Sequence, residues 1–167
     1  MQNHRSQTHG SAGHGHYGAL ALMALLSFIA MYALMYAMVD VLDNVIPNHN
    51  QLYMAGLMTA PMVLIELLLM RGMYGNARLN AVASLGAVLL GLACWFAIRQ
   101  QAAIGDEQLL KSMIPHHAGA VLMCQQAKLT DPDNRRLCEH IIRSQQSEID
   151  QMKARLRNSS RMTPGPT

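Results

Sequence analysis

The chain has 167 residues, of which 51% are apolar and 14% charged, with a formal net charge of +3. Its basic residues are scattered and no basic run is interleaved with aromatics, which argues against a nucleic-acid partner. Length alone suggests one domain, but the apolar residues crowd into three runs within the first hundred positions, which excludes an ordinary soluble core.

The first sixteen residues hold His4, His9, His14 and His16 among Gly, Ser, Gln and Asn. Such a segment cannot bury a core, so residues 1–16 are expected to be a disordered His-rich tail. Its histidines either collect metal weakly or are incidental to a polar tail or a cloning remnant.

A membrane region follows over 17–98, with spans at about 18–39, 52–70 and 79–98. The three runs contain a single charged residue, Glu66. At 1.5 Å rise per residue each crosses roughly 30 Å of hydrocarbon, so lipid is an expected partner. The first run is longer than a signal-peptide core and no small-x-small site precedes the acidic loop, which points to an uncleaved anchor. The first loop carries Asp40 and Asp43 and no Lys or Arg, whereas the second carries Arg71 and Arg78. The excess of Arg sets the second loop in the cytoplasm. The expected topology is a multi-pass protein of a bacterial inner (cell) membrane, with a cytoplasmic N-terminus and a periplasmic or extracellular C-terminal segment.

Within the spans, Met31 and Met35, and likewise Met54, Met58 and Met62, recur at four-residue spacing along single helix faces. Thioether stripes can pass Cu(I) along a membrane, and methionine is also an ordinary packing residue. Glu66, a lone acid in an apolar run, is a functional candidate by default. Cys94, deep in the third run, reads as membrane packing.

From 104 to 157 the pattern becomes that of an amphipathic helical hairpin. Asp106 is the expected N-cap of a helix reaching about Lys128, and Pro115 is expected to kink or interrupt it. Thr130-Asp131-Pro132-Asp133 is turn chemistry, and Pro132 is suited to the first position of a second helix ending near Arg157. Residues 158–167, rich in Ser, Pro and Gly, are expected to fray into a disordered tail.

The first helix of this hairpin carries Met113, His116, His117, Met123 and Cys124 within twelve residues. Imidazole, thioether and thiol are ligands of a soft or borderline metal such as copper. At 100° per residue Leu110, Met113, His117, Ala120, Val121 and Cys124 share one face, with His116 and Met123 on its flank. The two imidazoles therefore point about 100° apart and need not serve one ion. On the second helix Cys138, Ile142, Gln145, Ile149, Met152 and Leu156 share a face, with Glu148 beside it. Folding the hairpin about Asp131 brings Cys124 opposite Cys138 and sets His117 level with Gln145, within a turn of Glu148. The cysteine pair is a candidate disulfide in an oxidising compartment, with metal ligation or free buried thiols as the alternatives.

Asp106-Glu107-Gln108-Leu109-Leu110, then Met113 to Ala120, then Ile141-Ile142, Gln145 to Ile149 and Met152 resemble the opening and closing helices of the "domain of unknown function 305" family. The resemblance covers about Gly105 to Leu156, and the three-span N-terminal part looks like that of a membrane-anchored subgroup. It implies a ferritin-like, all-α architecture and, for some members, copper binding and resistance. Carried over, it implicates Met113, His116, His117, Met123, Glu148 and Met152 as metal ligands. A lone hairpin of about 55 residues buries little surface. It is therefore expected either to form a four-helix bundle with a second copy or to pack on the membrane helices.

The expected function is a membrane-anchored metal-binding protein that sequesters or passes on copper in metal homeostasis or resistance. Cu(I) is favoured by the methionines, and silver is an alternative cargo. The protein is not expected to be an enzyme, because the Glu-x-x-His pairs of di-iron chemistry are missing. Its expected partners are a second copy of itself and copper-efflux or other metal-handling proteins. The alternatives are a metal-transporter subunit using the methionine stripes and Glu66, or a structural interaction module without metal.

Overall fold

In the computed structural model, residues 12–162 are described, and all of their regular structure is helical. Five α-helices run in order: α1 (Ala12–Leu34), α2 (His49–Leu69), α3 (Ala77–Gln100), α4 (Asp106–Gln126) and α5 (Pro132–Met162). Single 3-10 turns at Met35–Met38 and Leu42–Asn44 lie in the α1–α2 connection. Of the expected N-terminal tail, residues 1–11 lie outside the described residues, and Ala12 to His16 already belong to α1.

Residues His16–Met38, α2 and α3 are each long and apolar enough to cross a membrane. α2 is the middle element and packs on both α1 and α3. Its buried residues are mostly small, Ala55, Gly56, Thr59 and Ala60, and so are α3's Ala87 and Cys94. Leucines such as Leu22, Leu25 and Leu85 face outward. Without a hydrophobic drive inside lipid, helices associate through close van der Waals packing, which small residues permit. Gly56 is the tightest point: a Cβ there would lie 2.7 Å from the Cys94 Sγ. The next is Gly91, where a Cβ would approach the Ala60 Cβ to 3.2 Å.

Asparagines start two of the helices. Asn48 accepts from the Gln51 N–H at 3.0 Å, and Asn76 accepts from Arg78 and Leu79. Each satisfies backbone donors that the first turn leaves unpaired. At the α2–α3 end, the Tyr17 hydroxyl donates to Asn80 Oδ1 at 2.7 Å, and the Tyr17 and Tyr74 rings lie 5.3 Å apart. Glu66 sits in the last turn of α2, where the Tyr74 hydroxyl lies 3.5 Å from its carboxylate. It thus lies near the end of the apolar helix rather than at its middle. Burial and the neighbouring Glu66 charge push the Tyr74 hydroxyl above its ordinary pKa.

The α3–α4 connection is held against α2. Gln101 ends α3 in a left-handed conformation, and Tyr53 donates to the Ala102 carbonyl at 2.9 Å. α4 begins with Gly105, not Asp106, as its N-cap; Asp106 and Glu107 then occupy the first turn, where negative charge suits the helix dipole. α4 runs unbroken through Pro115. Ile114, Pro115, Ala118 and Gly119 are all buried, and this packing holds the helix across the missing donor. Asp131 caps α5 by accepting from Asp133 and Asn134, and Pro132 takes the first helical position. α5 continues to Met162, past the expected end near Arg157, and residues 163–167 lie outside the described set.

The hairpin core comprises Ile114, Ala118, Val121, Ile149 and Met152, with Leu110, Met113 and Leu156 around it. Val39 and Ile46 of the α1–α2 connection complete it. α4 is therefore packed on two sides, by α5 and by the 35–46 segment. That is why Ile114 and Ala118, which lie off the stripe expected to face α5, are fully buried. Polar ties follow the same contact. Ser112 donates to Asn48 at 3.3 Å, the His49 N–H donates to Gln108, and Lys153 pairs with Asp43. The hairpin and the first loop thus share one end of the bundle. Within the chain, the hairpin packs on the α1–α2 connection and on α2.

Candidate functional site

His117 projects from the middle of α4 and is 7% exposed. Its Nδ1 lies 2.9 Å from the Met113 carbonyl, one turn back on the same helix. A carbonyl oxygen only accepts, so Nδ1 carries the hydrogen of that bond. The ring is thereby locked, and Nε2 points across to α5, where it meets Glu148 Oε2 at 2.7 Å. A backbone carbonyl holding Nδ1 is the arrangement that orients metal-ligating histidines through Nε2, which here is engaged by Glu148.

A cavity of about 190 Å³ opens beside this contact. Its walls are Leu110, Met113 and His117 from α4, with Glu148, Gln151, Met152 and Arg155 from α5. Four of the six expected ligands therefore converge: Met113, His117, Glu148 and Met152. Met113 and Met152 also belong to the packed cluster that includes Val39 and Ile46, so the membrane loop backs the cavity. Their donors are one imidazole nitrogen, one carboxylate and two thioethers, a set that suits a soft or borderline ion. Arg155 is the one Arg or Lys side chain in the wall, two helical turns from Glu148 on α5.

The other two expected ligands lie elsewhere. His116 is exposed, its ring centroid 6.1 Å from that of His117, and Met123 is 55% exposed. Neither lines the cavity. Successive helical residues diverge by 100°, so one member of a His-His pair must turn away from α5. Among the described residues, no group of three or more His, Cys, Asp and Glu side chains could hold an ion. Any metal site here depends on the thioethers.

Cys124 and Cys138 are joined by a disulfide with Cα atoms 5.2 Å apart, which withdraws both sulfurs from metal ligation. Cys94 is a buried free thiol. In the membrane, Met54 and Met58 are exposed on the outer surface of α2, while Met31 accepts from Thr59 at 3.9 Å between α1 and α2. Gln151 and Arg155 are cavity residues that ligand chemistry alone does not single out. The signal available for Arg155 was its seven-residue spacing from Glu148, which sets both on one face of α5.

Residues 65–156 match the family described as "Domain of unknown function (DUF305)". The match begins in the last turns of α2 and takes in α3 as well as the hairpin, about forty residues more than the segment that carries the sequence resemblance. The chain is also 31% identical over 138 residues to "Uncharacterized protein L153" of Acanthamoeba polyphaga mimivirus, spanning 81% of this chain and 89% of that protein. No solved structure matches the chain.

Proposed function

The chain belongs to the DUF305 family, and we propose that it is a membrane-anchored metal-binding protein whose hairpin holds copper, or silver, as cargo in metal homeostasis or resistance. The observation that carries this reading is His117, held at Nδ1 by the Met113 carbonyl and meeting Glu148 through Nε2, in the wall of a cavity also lined by Met113 and Met152. These four residues would hold the ion. Thioethers favour the monovalent state. The ferritin-like designation and the pairing of two hairpins into a four-helix bundle belong to the same proposal.

The proposed setting is a bacterial inner membrane with the hairpin outside. The acidic first loop, the two arginines of the second and the Cys124–Cys138 bridge support it, since disulfides persist in oxidising compartments. Metal-efflux proteins and a second copy of the chain are the proposed partners.

The test is a competition titration of the purified full-length protein with Cu(I) against a chromogenic chelator. His117→Ala combined with Met113→Ala and Met152→Ala should abolish binding, whereas His116→Ala with Met123→Ala should leave it intact. Unchanged stoichiometry and affinity in the first variant would reject the site. A second reading is favoured by the direct 2.7 Å contact between His117 and Glu148: a structural clasp in a metal-free interaction module. On that reading Glu148→Gln lowers the melting temperature, and Cu(I) gives no thermal shift in the unaltered protein.

A further inference from the structure

We infer that the Cys124–Cys138 bridge is a redox switch that sets the register of α5 on α4 and so assembles the His117 cavity, an inference that rests on reading the cavity as a metal site. Cys124 follows His117 by seven residues, two helical turns or about 10 Å along the same face of α4. Cys138, Gln145 and Met152 repeat at the same interval on α5. The bridge thus lies in line with the cavity, toward the hairpin turn.

The core between these helices is apolar, with Val121, Ile149 and Met152 buried in it. Apolar burial and the short connection between Gln126 and Pro132 set which faces meet, but non-directional contact leaves small shifts of register open. The covalent bridge and the His117–Glu148 contact do define it. A shift of about 1.5 Å, the rise of one residue, is enough to break the contact of Glu148 with Nε2. With the bridge closed, Cα atoms 5.2 Å apart forbid such a shift. With it open, the apolar core and the His117–Glu148 contact hold the cavity with less restraint.

Both cysteines are half-exposed, so a soluble dithiol reaches them. One thiolate of the reductant attacks a cysteine sulfur and breaks the S–S bond, giving a mixed disulfide. Its second thiol then displaces that cysteine. The reductant leaves as a cyclic disulfide, and its two protons end on Cys124 and Cys138 as thiols.

The experiment uses the full-length protein in detergent, with the bridge closed, opened by a dithiol and capped by iodoacetamide, or removed as Cys124→Ala/Cys138→Ala. Without metal, opening should raise amide exchange over residues 110–121 and 142–152 by about one to two orders of magnitude, leaving 55–60 and 87–94 unchanged. The NMR signals of the hydrogen-bonded His117 imidazole should be lost well below the melting temperature. A bridge that is only structural lowers that temperature and leaves the imidazole signals in place, which would overturn the switch. Cu(I) affinity should fall by about 10- to 100-fold in both opened forms. Equal affinity with the bridge open and closed overturns the inference. If the bridged protein binds no Cu(I), the metal reading fails, and the imidazole signals still decide for or against the register lock.

Discussion

The three helices long and apolar enough to cross a membrane and the C-terminal hairpin are both helical packings, but they are built differently. In the membrane, α2 and α3 meet through glycine, alanine and one cysteine, and their large side chains face outward. In the hairpin the large side chains face inward, and a disulfide and a histidine–glutamate contact cross between the helices. The solvent explains the difference. Lipid gives leucine no reason to leave the surface, so close approach decides the packing. Water drives Ile114 and Ile149 inside, and the few remaining polar groups must then find partners.

The contrast is broken most strongly by hollowing the hairpin. Ile149 is fully buried, so Ile149→Ala should cost about 2–5 kcal/mol. Hydrogen exchange should show α4 and α5 opening while residues 55–60 stay protected. Equal loss of protection in both regions would mean that they fold as one unit.

The complementary change overfills the membrane contact. Gly56→Ala sets a methyl group 2.7 Å from the Cys94 sulfur and should cost about 1–3 kcal/mol. It should lower the thermal stability of the membrane region, and Cys94→Ala in the same chain should restore part of it. A gain in stability from Gly56→Ala would disprove the close approach.

The smallest effect lies where the regions join. The Lys153 ammonium, donating to Asp43, holds that carboxyl below its usual range. A carboxylate depressed in the folded state contributes stability above its unfolded value of about 3.9 and loses it as the pH falls through the folded value. Hairpin docking should therefore loosen slightly below about pH 4, as read by proteolysis of the 38–48 segment. Asp43→Asn should remove that pH dependence. The pair is exposed on the Asp43 side, so the change should be small.

Apolar runs, turn residues and helical period by themselves determined the three spans, the hairpin and the facing of Cys124 toward Cys138, because each of these is a local or short-range property. Helical phase also brought His117 within a turn of Glu148. Other features depended on contacts distant in the chain. Pro115 did not break α4, because burial against α5 and the first loop outweighed local propensity. The exclusion of His116 and Met123 from the cavity followed from which side of α4 met α5. The entry of Gln151 and Arg155 followed from the same register. Val39, Ile46 and Asp43 entered the hairpin's environment from about seventy to one hundred and ten positions away, through a docking contact that no periodicity encodes. Sequence settled which elements form and which faces are apolar; only the tertiary structure decided which side of α4 meets α5 and which meets the membrane loop, because a helix packed on two sides carries no mark of which face belongs to which neighbour.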